Sequence, residues 1–152
     1  MSKMPEVGDK APDFEAETYG GEKIKLGDYK GKSLVALYFY PKDNTGTCTK
    51  EACSMRDGME DLKGLGVQVL GVSTDSVKSH ENFKNKYDLN FPLLSDKSKD
   101  IITAYGVESD YGSAKRTTFL IDKKGVVQHV WTKVKAATHS DEVKEKVEEL
   151  GL

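Results

Sequence analysis

A nearly continuous run of apolar and aromatic residues, SLVALYFY at 33–40, places the strongest limit on how this chain folds. A run this short, ended by the proline at position 41, is typical of a β-strand that is covered on both faces. Two further β-rich segments, VQVLGVS at 67–73 and FPLLS at 91–95, alternate with stretches of helical periodicity. This alternation predicts strands that pair in one sheet, with helices packed against it.

Turn residues and periodicity define the other elements. Gly20-Gly21 separates two short strands of an N-terminal hairpin, and a second hairpin joins 117–122 to 125–131. Helices are predicted over about 47–62, from Asp75 or Ser76 to about Tyr87, over 97–105, and from a T-x-x-D cap at Thr138 to the C-terminus. The predicted fold class is therefore α/β: a central mixed sheet flanked by helices, in one domain over residues 1–152.

The composition excludes several classes of function. The chain has 23 basic and 25 acidic side chains among 152 residues, so no strong field attracts nucleic acid or anionic lipid. The N-terminal segment lacks the apolar core of a secretory signal, and no stretch approaches the ~20 apolar residues of a membrane span. We therefore expect a cytoplasmic protein that binds neither nucleic acid nor membrane. Because thiols are kept reduced there, a close cysteine pair is more often catalytic, redox-sensing or metal-binding than structural.

The two cysteines of the chain, Cys48 and Cys53, lie in one short segment after the loop KDNTGT. Cys48 falls in the first turn of the predicted helix that follows the first core strand. Open α/β sheets place their sites where strand carboxyl ends meet helix amino ends, and the positive end of a helix favours an anion there. This position favours a reactive Cys48, because a thiol reacts as its thiolate. Since nucleophilicity falls as a thiol becomes more acidic, fast chemistry also needs groups that act on the bond under attack.

The spacing of the cysteines limits how they can pair. In an intact α-helix, Cα atoms five residues apart lie roughly 8–9 Å from each other, with side chains about 140° apart. A disulfide needs a Cα separation of about 4.4–6.8 Å, so Cys48 and Cys53 could bond only if the helix unwinds. On spacing alone the segment could be a redox pair, a buried Cys53 with an incidental Cys48, or a metal site. The metal site is disfavoured because His80, His129 and His139 lie singly in separate segments.

The segment PKDNTGTC resembles the P-x-x-x-[TS]-x-x-C signature of the peroxiredoxins, with Pro41, Thr45 and Cys48 at the required offsets. TCTKEACSMRD is similar to the bacterioferritin-comigratory (Q-type) branch, in which a second cysteine follows five residues later. APDF, GVSTDS, FPLLSD and RTTFLIDKKGVV also resemble family segments and occur in the family's order, so the resemblance covers essentially the whole chain. One departure is Gly46-Thr47, where the family usually has Pro-Gly, and it loosens the backbone before the helix.

The resemblance implies a thioredoxin-like fold with the N-terminal hairpin as an extension, and a thiol-dependent peroxidase activity. Cys48 would be the peroxidatic cysteine, reducing hydrogen peroxide or an alkyl hydroperoxide, and Cys53 would resolve it through an intramolecular disulfide. A thioredoxin-like dithiol would recycle the protein, with no cofactor or metal. The branch is often monomeric, and an edge-strand dimer is the alternative. Two other functions stay open: a thioredoxin-like disulfide oxidoreductase, which normally carries C-x-x-C, and a non-enzymatic redox sensor.

Four further residues acquire roles from the same resemblance. Thr45 would hydrogen-bond the thiolate and the incoming peroxide, and Pro41 would shield the site from water. Arg116, at the start of RTTFLID, would be the arginine brought beside the sulfur. Glu51 matches a family position that holds this arginine.

Overall fold

The computed structural model describes residues 3–152, and within this range one mixed sheet of seven strands has the order β2-β1-β5-β4-β3-β6-β7. The strands are β1 (Glu15–Glu17), β2 (Lys23–Lys25), β3 (Leu34–Phe39), β4 (Val67–Ser73), β5 (Leu93–Ser95), β6 (Thr117–Ile121) and β7 (Val127–Trp131). The α-helices are α1 (Gly46–Asp57), α2 (Met59–Gly64), α3 (Val77–Tyr87), α4 (Asp100–Ala104) and α5 (His139–Leu150). No helix within this range is both long and apolar enough to cross a membrane.

The central position of β3 explains its apolar run. All six residues of β3 are buried. Leu34, Ala36 and Tyr38 face a core shared with α1 and α5, while Val35 and Leu37 face a second core shared with α4. Because side chains alternate between the two faces of a strand, a strand covered on both faces has apolar residues at every position. The predicted central strand is confirmed.

Strand directions bring the ends of four strands to one edge of the sheet. β3, β4 and β5 are parallel, so their carboxyl ends lie at the same edge. β6 runs antiparallel to β3, and Thr117 at its start pairs with Phe39 at the end of β3. The residues just after β3 and just before β6 are therefore neighbours in space. The two predicted hairpins, β1–β2 and β6–β7, are both present.

The predicted helix over 47–62 is wrong in one respect, since it is two helices that meet at Gly58. A Cβ atom at Gly58 would lie 2.5 Å from the Cβ of Ser140 and 2.6 Å from its Oγ, so α5 packs directly on this backbone. The Ser54 and Ser140 hydroxyls are 3.1 Å apart, and the Ser140 N–H donates to the Ser54 oxygen. The predicted cap at Thr138 does not form, because its side chain makes no capping hydrogen bond. The hydroxyl of Ser54 in α1 instead accepts from a backbone N–H in the first turn of α5.

This close contact predicts the effect of a single methyl group. Gly58→Ala should lower the free energy of unfolding by about 1–3 kcal/mol, because the added Cβ overlaps Ser140 and forces α1 and α5 apart. The matched control is Gly64→Ala at the end of α2, where a Cβ meets nothing within 4 Å and the helix propensity rises. Urea unfolding of both variants gives the two free energies. Equal stability of Gly58→Ala and the wild type would contradict the tight contact.

Candidate active site

Cys48 is the third residue of α1 and is 1% exposed. The first backbone hydrogen bond of this helix joins the Thr49 N–H to the Thr45 carbonyl at 2.8 Å, so the earlier N–H groups have no partner within the helix. The first turn contains no acidic side chain that would offset the helix dipole. The start of α1 therefore presents its full positive end to the Cys48 sulfur.

Arg116 is the residue immediately before β6, and its side chain contacts this sulfur. Its Nη2 donates to Cys48 Sγ at 3.1 Å, and its Nη1 donates to Glu51 Oε1 at 2.6 Å. Glu51 lies one turn after Cys48 on the same buried face of α1, so one guanidinium contacts both side chains. Arg116, which is distant in sequence from both, therefore joins Cys48 and Glu51 in one hydrogen-bonded group.

Burial and charge change the proton affinities of this group. Burial raises the pKa of Glu51 to about 7, although the nearby Arg116 guanidinium opposes the shift. Burial alone would lower the pKa of Arg116. The contacts with Cys48 and Glu51 more than offset this effect, so the pKa of Arg116 lies above its ordinary value. Arg116 is thus a permanent cation beside the sulfur, whereas the carboxyl group that holds it can change charge near neutral pH.

A second layer of polar residues lies behind Glu51. Glu51 Oε2 has no hydrogen-bond partner among the described residues, and His139 Nε2 is 4.0 Å from it. The same nitrogen of His139 is 2.8 Å from Thr118 Oγ1, and its Nδ1 is 3.0 Å from Glu142 Oε1. Burial lowers the pKa of His139, and Glu142 opposes this shift.

The remaining predicted site residues surround the start of α1. Thr45 is the N-cap residue, but its hydroxyl donates to the Lys42 carbonyl at 3.3 Å and does not cap the helix. Pro41 follows the last residue of the core run and is partly exposed. Cys53 is a partly buried free thiol, and Cys48 is also free. Both lie within the intact helix α1, so their predicted separation applies to this reduced form.

Asp43 fixes the loop before α1. Its carboxylate accepts from the Tyr40 hydroxyl at 2.6 Å and the Ser79 hydroxyl at 2.8 Å, and lies 2.7 Å from His80 Nδ1. His80 Nε2 lies 2.9 Å from the Leu94 carbonyl, so both ring nitrogens face oxygen acceptors. The imidazole therefore links the Asp43 carboxylate to the backbone of β5 in one buried hydrogen-bonded network. The loop that the Gly46-Thr47 departure would loosen is therefore held by side chains.

Asp43, His80 and Asp75 place their ligand atoms within 4.8 Å of one another, a spacing that could hold a metal ion. Their atoms are occupied by hydrogen bonds, however: Asp75 Oδ2 accepts from the Asp43 N–H at 2.8 Å and from the Ser73 hydroxyl at 2.6 Å. A metal would have to break this network, so the cluster is better suited to positioning the loop.

Sequence reasoning missed Asp43, His80, Thr118 and His139 as parts of the site and its support. The sequence presents each histidine as isolated, because Asp43 lies 37 residues from His80 and Thr118 lies 21 residues from His139. No local pattern in the sequence predicts contacts between residues so far apart. Only the packing of α3 and α5 brings these residues together.

Comparison with known proteins agrees with this geometry. Residues 7–130 match the family model described as the AhpC/TSA family. The chain is 52% identical over 145 residues to a putative peroxiredoxin bcp of Coxiella burnetii, covering 91% of this chain and 95% of the relative. The crystal structure of the peroxidoxin BcpB of Mycobacterium tuberculosis superposes with a TM-score of 0.90 at 30% identity, covering 96% of this chain and 98% of the other. The structure of the bacterioferritin comigratory protein of Xanthomonas campestris superposes with a TM-score of 0.87 at 33% identity, covering 97% of this chain and 98% of the other.

The fold is a thioredoxin-like sheet with an N-terminal hairpin. The site is a cysteine in the first turn of a helix, in contact with an arginine. Together they define the class of thiol peroxidases. The predicted fold class is confirmed. The chain belongs to the AhpC/TSA family and is a peroxiredoxin enzyme of the Bcp (PrxQ) type.

Proposed function

We propose that this chain reduces hydrogen peroxide and organic hydroperoxides, with Cys48 as the peroxidatic cysteine and Cys53 as the resolving cysteine. The observation that carries the proposal is the 3.1 Å contact between Arg116 Nη2 and Cys48 Sγ at the start of α1. The cation and the helix end both favour the thiolate, and the same groups can stabilise the negative charge as it moves from the sulfur to the leaving oxygen. The alkyl peroxide reduction described for the Xanthomonas campestris relative supports this substrate class.

In the first step the Cys48 thiolate attacks one peroxide oxygen in line with the O–O bond. An S–O bond forms, and the O–O electron pair leaves with the second oxygen, which takes a proton and departs as water or an alcohol. The sulfur is oxidised to a sulfenic acid and the peroxide is reduced. Negative charge moves from the sulfur to the leaving oxygen, so Arg116 and the free N–H groups of α1 stabilise the transition state more than the ground state.

In the second step the first turns of α1 open, because the intact helix holds Cys48 and Cys53 too far apart for an S–S bond. The Cys53 sulfur then displaces the sulfenic hydroxyl, which leaves as water, and the disulfide forms. A thioredoxin-like dithiol reduces it by thiol–disulfide exchange. We place this cycle in the cytoplasm, in a monomer.

Thr45 and Pro41 keep their proposed roles. The 3.3 Å bond from the Thr45 hydroxyl to Lys42 is long for an O–H donor, so exchange for a bond to the sulfur or the peroxide costs little. Pro41, between the end of β3 and the loop, would limit the access of water. Glu51 would hold Arg116 through the 2.6 Å contact with Nη1.

Peroxide and disulfide substrates separate this proposal from its rivals. The buried Cys48 is closed to a protein disulfide while α1 is folded, so a peroxide should be the first substrate. Stopped-flow mixing with hydrogen peroxide should show the wild type reacting far faster than free cysteine, and Cys48→Ser should not react. The protein should reduce insulin disulfides poorly. Rapid insulin reduction with a slow peroxide reaction would establish the disulfide oxidoreductase instead, and a slow reaction with both would favour the sensor.

A further inference from the structure

A buried acid–base pair lies directly behind the arginine of the site. Glu51 and His139 are both 0% exposed, and Glu51 Oε2 is 4.0 Å from His139 Nε2. The other carboxylate oxygen, Oε1, accepts from Arg116 Nη1 at 2.6 Å. A change of charge on this pair therefore acts on the guanidinium that contacts Cys48.

The surroundings of His139 accept either protonation state without moving the ring. Its Nδ1 faces the Glu142 carboxylate at 3.0 Å and so carries a proton. When the ring is neutral, Nε2 accepts from the Thr118 hydroxyl, 2.8 Å away. When the ring is a cation, Nε2 donates to the same oxygen, which can act as donor or acceptor. The ring is therefore fixed in place and free to gain or lose one proton.

Charge balance shows what one proton on this pair would do. The Cys48 thiolate and Arg116 carry opposite charges and cancel. An ionised Glu51 beside a neutral His139 leaves a net negative charge in a buried site, which is costly. One proton on either member restores neutrality among these four groups and leaves the partly exposed Glu142 carboxylate as the remaining negative charge beside them. Without that proton the carboxylate competes with the sulfur for the positive charge of Arg116.

We propose that His139 is a positioning residue for peroxide reduction: with Glu51 it forms a buried pair that holds one proton and thereby keeps Arg116 directed to the Cys48 sulfur. This inference rests on the proposed roles of Cys48 and Arg116. The proton stays on the pair while the thiolate reacts, and its loss at higher pH weakens the stabilisation of both the thiolate and the leaving oxygen. The rate of peroxide reduction should therefore fall as the pH rises past the titration of the pair.

The charged and titratable groups that face the pair determine where this fall occurs. They are Cys48 on α1, Tyr38 on β3, Arg116 just before β6, and Glu142 on α5. The raised pKa of Glu51, about 7, places the proton mainly on the carboxyl group. Glu142 raises the pKa of both Glu51 and His139. Removing the charge of Glu142 should therefore release the shared proton at a lower pH.

Glu142→Gln tests this prediction through a change of charge alone, because the amide oxygen can still accept from His139 Nδ1 and from the Lys135 N–H. Stopped-flow rates of peroxide reduction are measured from pH 6 to pH 9. We call the fall in rate at high pH the descending limb of the pH–rate profile. This limb should move to lower pH in Glu142→Gln, and a shift of half a pH unit would slow the reaction about threefold on the limb. Glu145→Gln, an exposed position on the same helix, should leave the limb in place.

Two further variants address the pair itself. Glu51→Gln keeps an acceptor for Arg116 but cannot ionise, so the descending limb should disappear. His139→Gln leaves one group to hold the proton, and the limb should move to lower pH.

The outcomes separate failure of the pair from failure of the proposed function. A descending limb at the same pH in the wild type, Glu142→Gln and His139→Gln would overturn the role of His139 and leave the peroxidase activity intact. A wild type that reacts no faster than free cysteine at any pH would overturn the proposed function, and the pair with it.

Discussion

Replacing Arg116 with alanine is expected to slow the reaction of Cys48 with hydrogen peroxide by roughly a hundredfold or more. The guanidinium contacts the sulfur at 3.1 Å, so it lies beside the atoms between which negative charge moves as the O–O bond breaks. Removing one donor that stabilises charge in a transition state typically costs about 2.7–4 kcal/mol, or about 10²–10³ in rate. Stopped-flow measurement of peroxide reduction at several pH values gives this rate for the wild type and the variant.

The loss should exceed what a smaller thiolate fraction can explain. The pH dependence of Cys48 alkylation measures that fraction independently in each protein. Arg116→Lys is the matched control, since it keeps the positive charge but lacks the fork that contacts both Cys48 and Glu51. Its rate should lie between those of the wild type and Arg116→Ala. A loss below threefold in Arg116→Ala would contradict the role given to this residue.

Cys53→Ser is expected to consume one equivalent of peroxide and then stop. The peroxide reaction requires only Cys48 and the groups around it, all of which this variant keeps. The sulfenic acid, however, has no thiol in the chain with which to condense. A coupled assay with thioredoxin, its reductase and a nicotinamide reductant should therefore show no sustained turnover.

Cys48→Ser supplies the complementary control, because it should neither consume peroxide nor turn over. Serine at either position keeps the approximate size of the side chain, so both variants should retain the wild-type circular dichroism spectrum. Sustained turnover of Cys53→Ser with thioredoxin would show that the reductant acts on Cys48 directly, and would refute the resolving role.

The sequence predicted those parts of the molecule that depend on local pattern. The run at 33–40 identified the central strand, because a short run that is apolar at every position is typical of a strand covered on both faces. The turn after that strand placed Cys48 at the start of a helix. No local pattern distinguishes Arg116 from the other basic residues of the chain. Its place in the site was predicted from the family resemblance alone.

The sequence could not predict features that depend on packing between distant segments. The break at Gly58 follows from the approach of Ser140, 82 positions further along the chain, and helical periodicity continues across it. The buried contacts of Asp43 with His80 and of Glu51 with His139 have the same origin. Each joins side chains that look ordinary in sequence and become important only when both are buried.

The mass of the protein after treatment with one equivalent of hydrogen peroxide tests the central claim most directly. The wild type should lose two hydrogen atoms, with the disulfide mapped by proteolysis to Cys48 and Cys53. Cys53→Ser should instead gain one oxygen atom on Cys48, in a form that a sulfenic-acid reagent traps. Oxygen found first on Cys53, or a wild type that gains oxygen without forming the disulfide, would contradict the account.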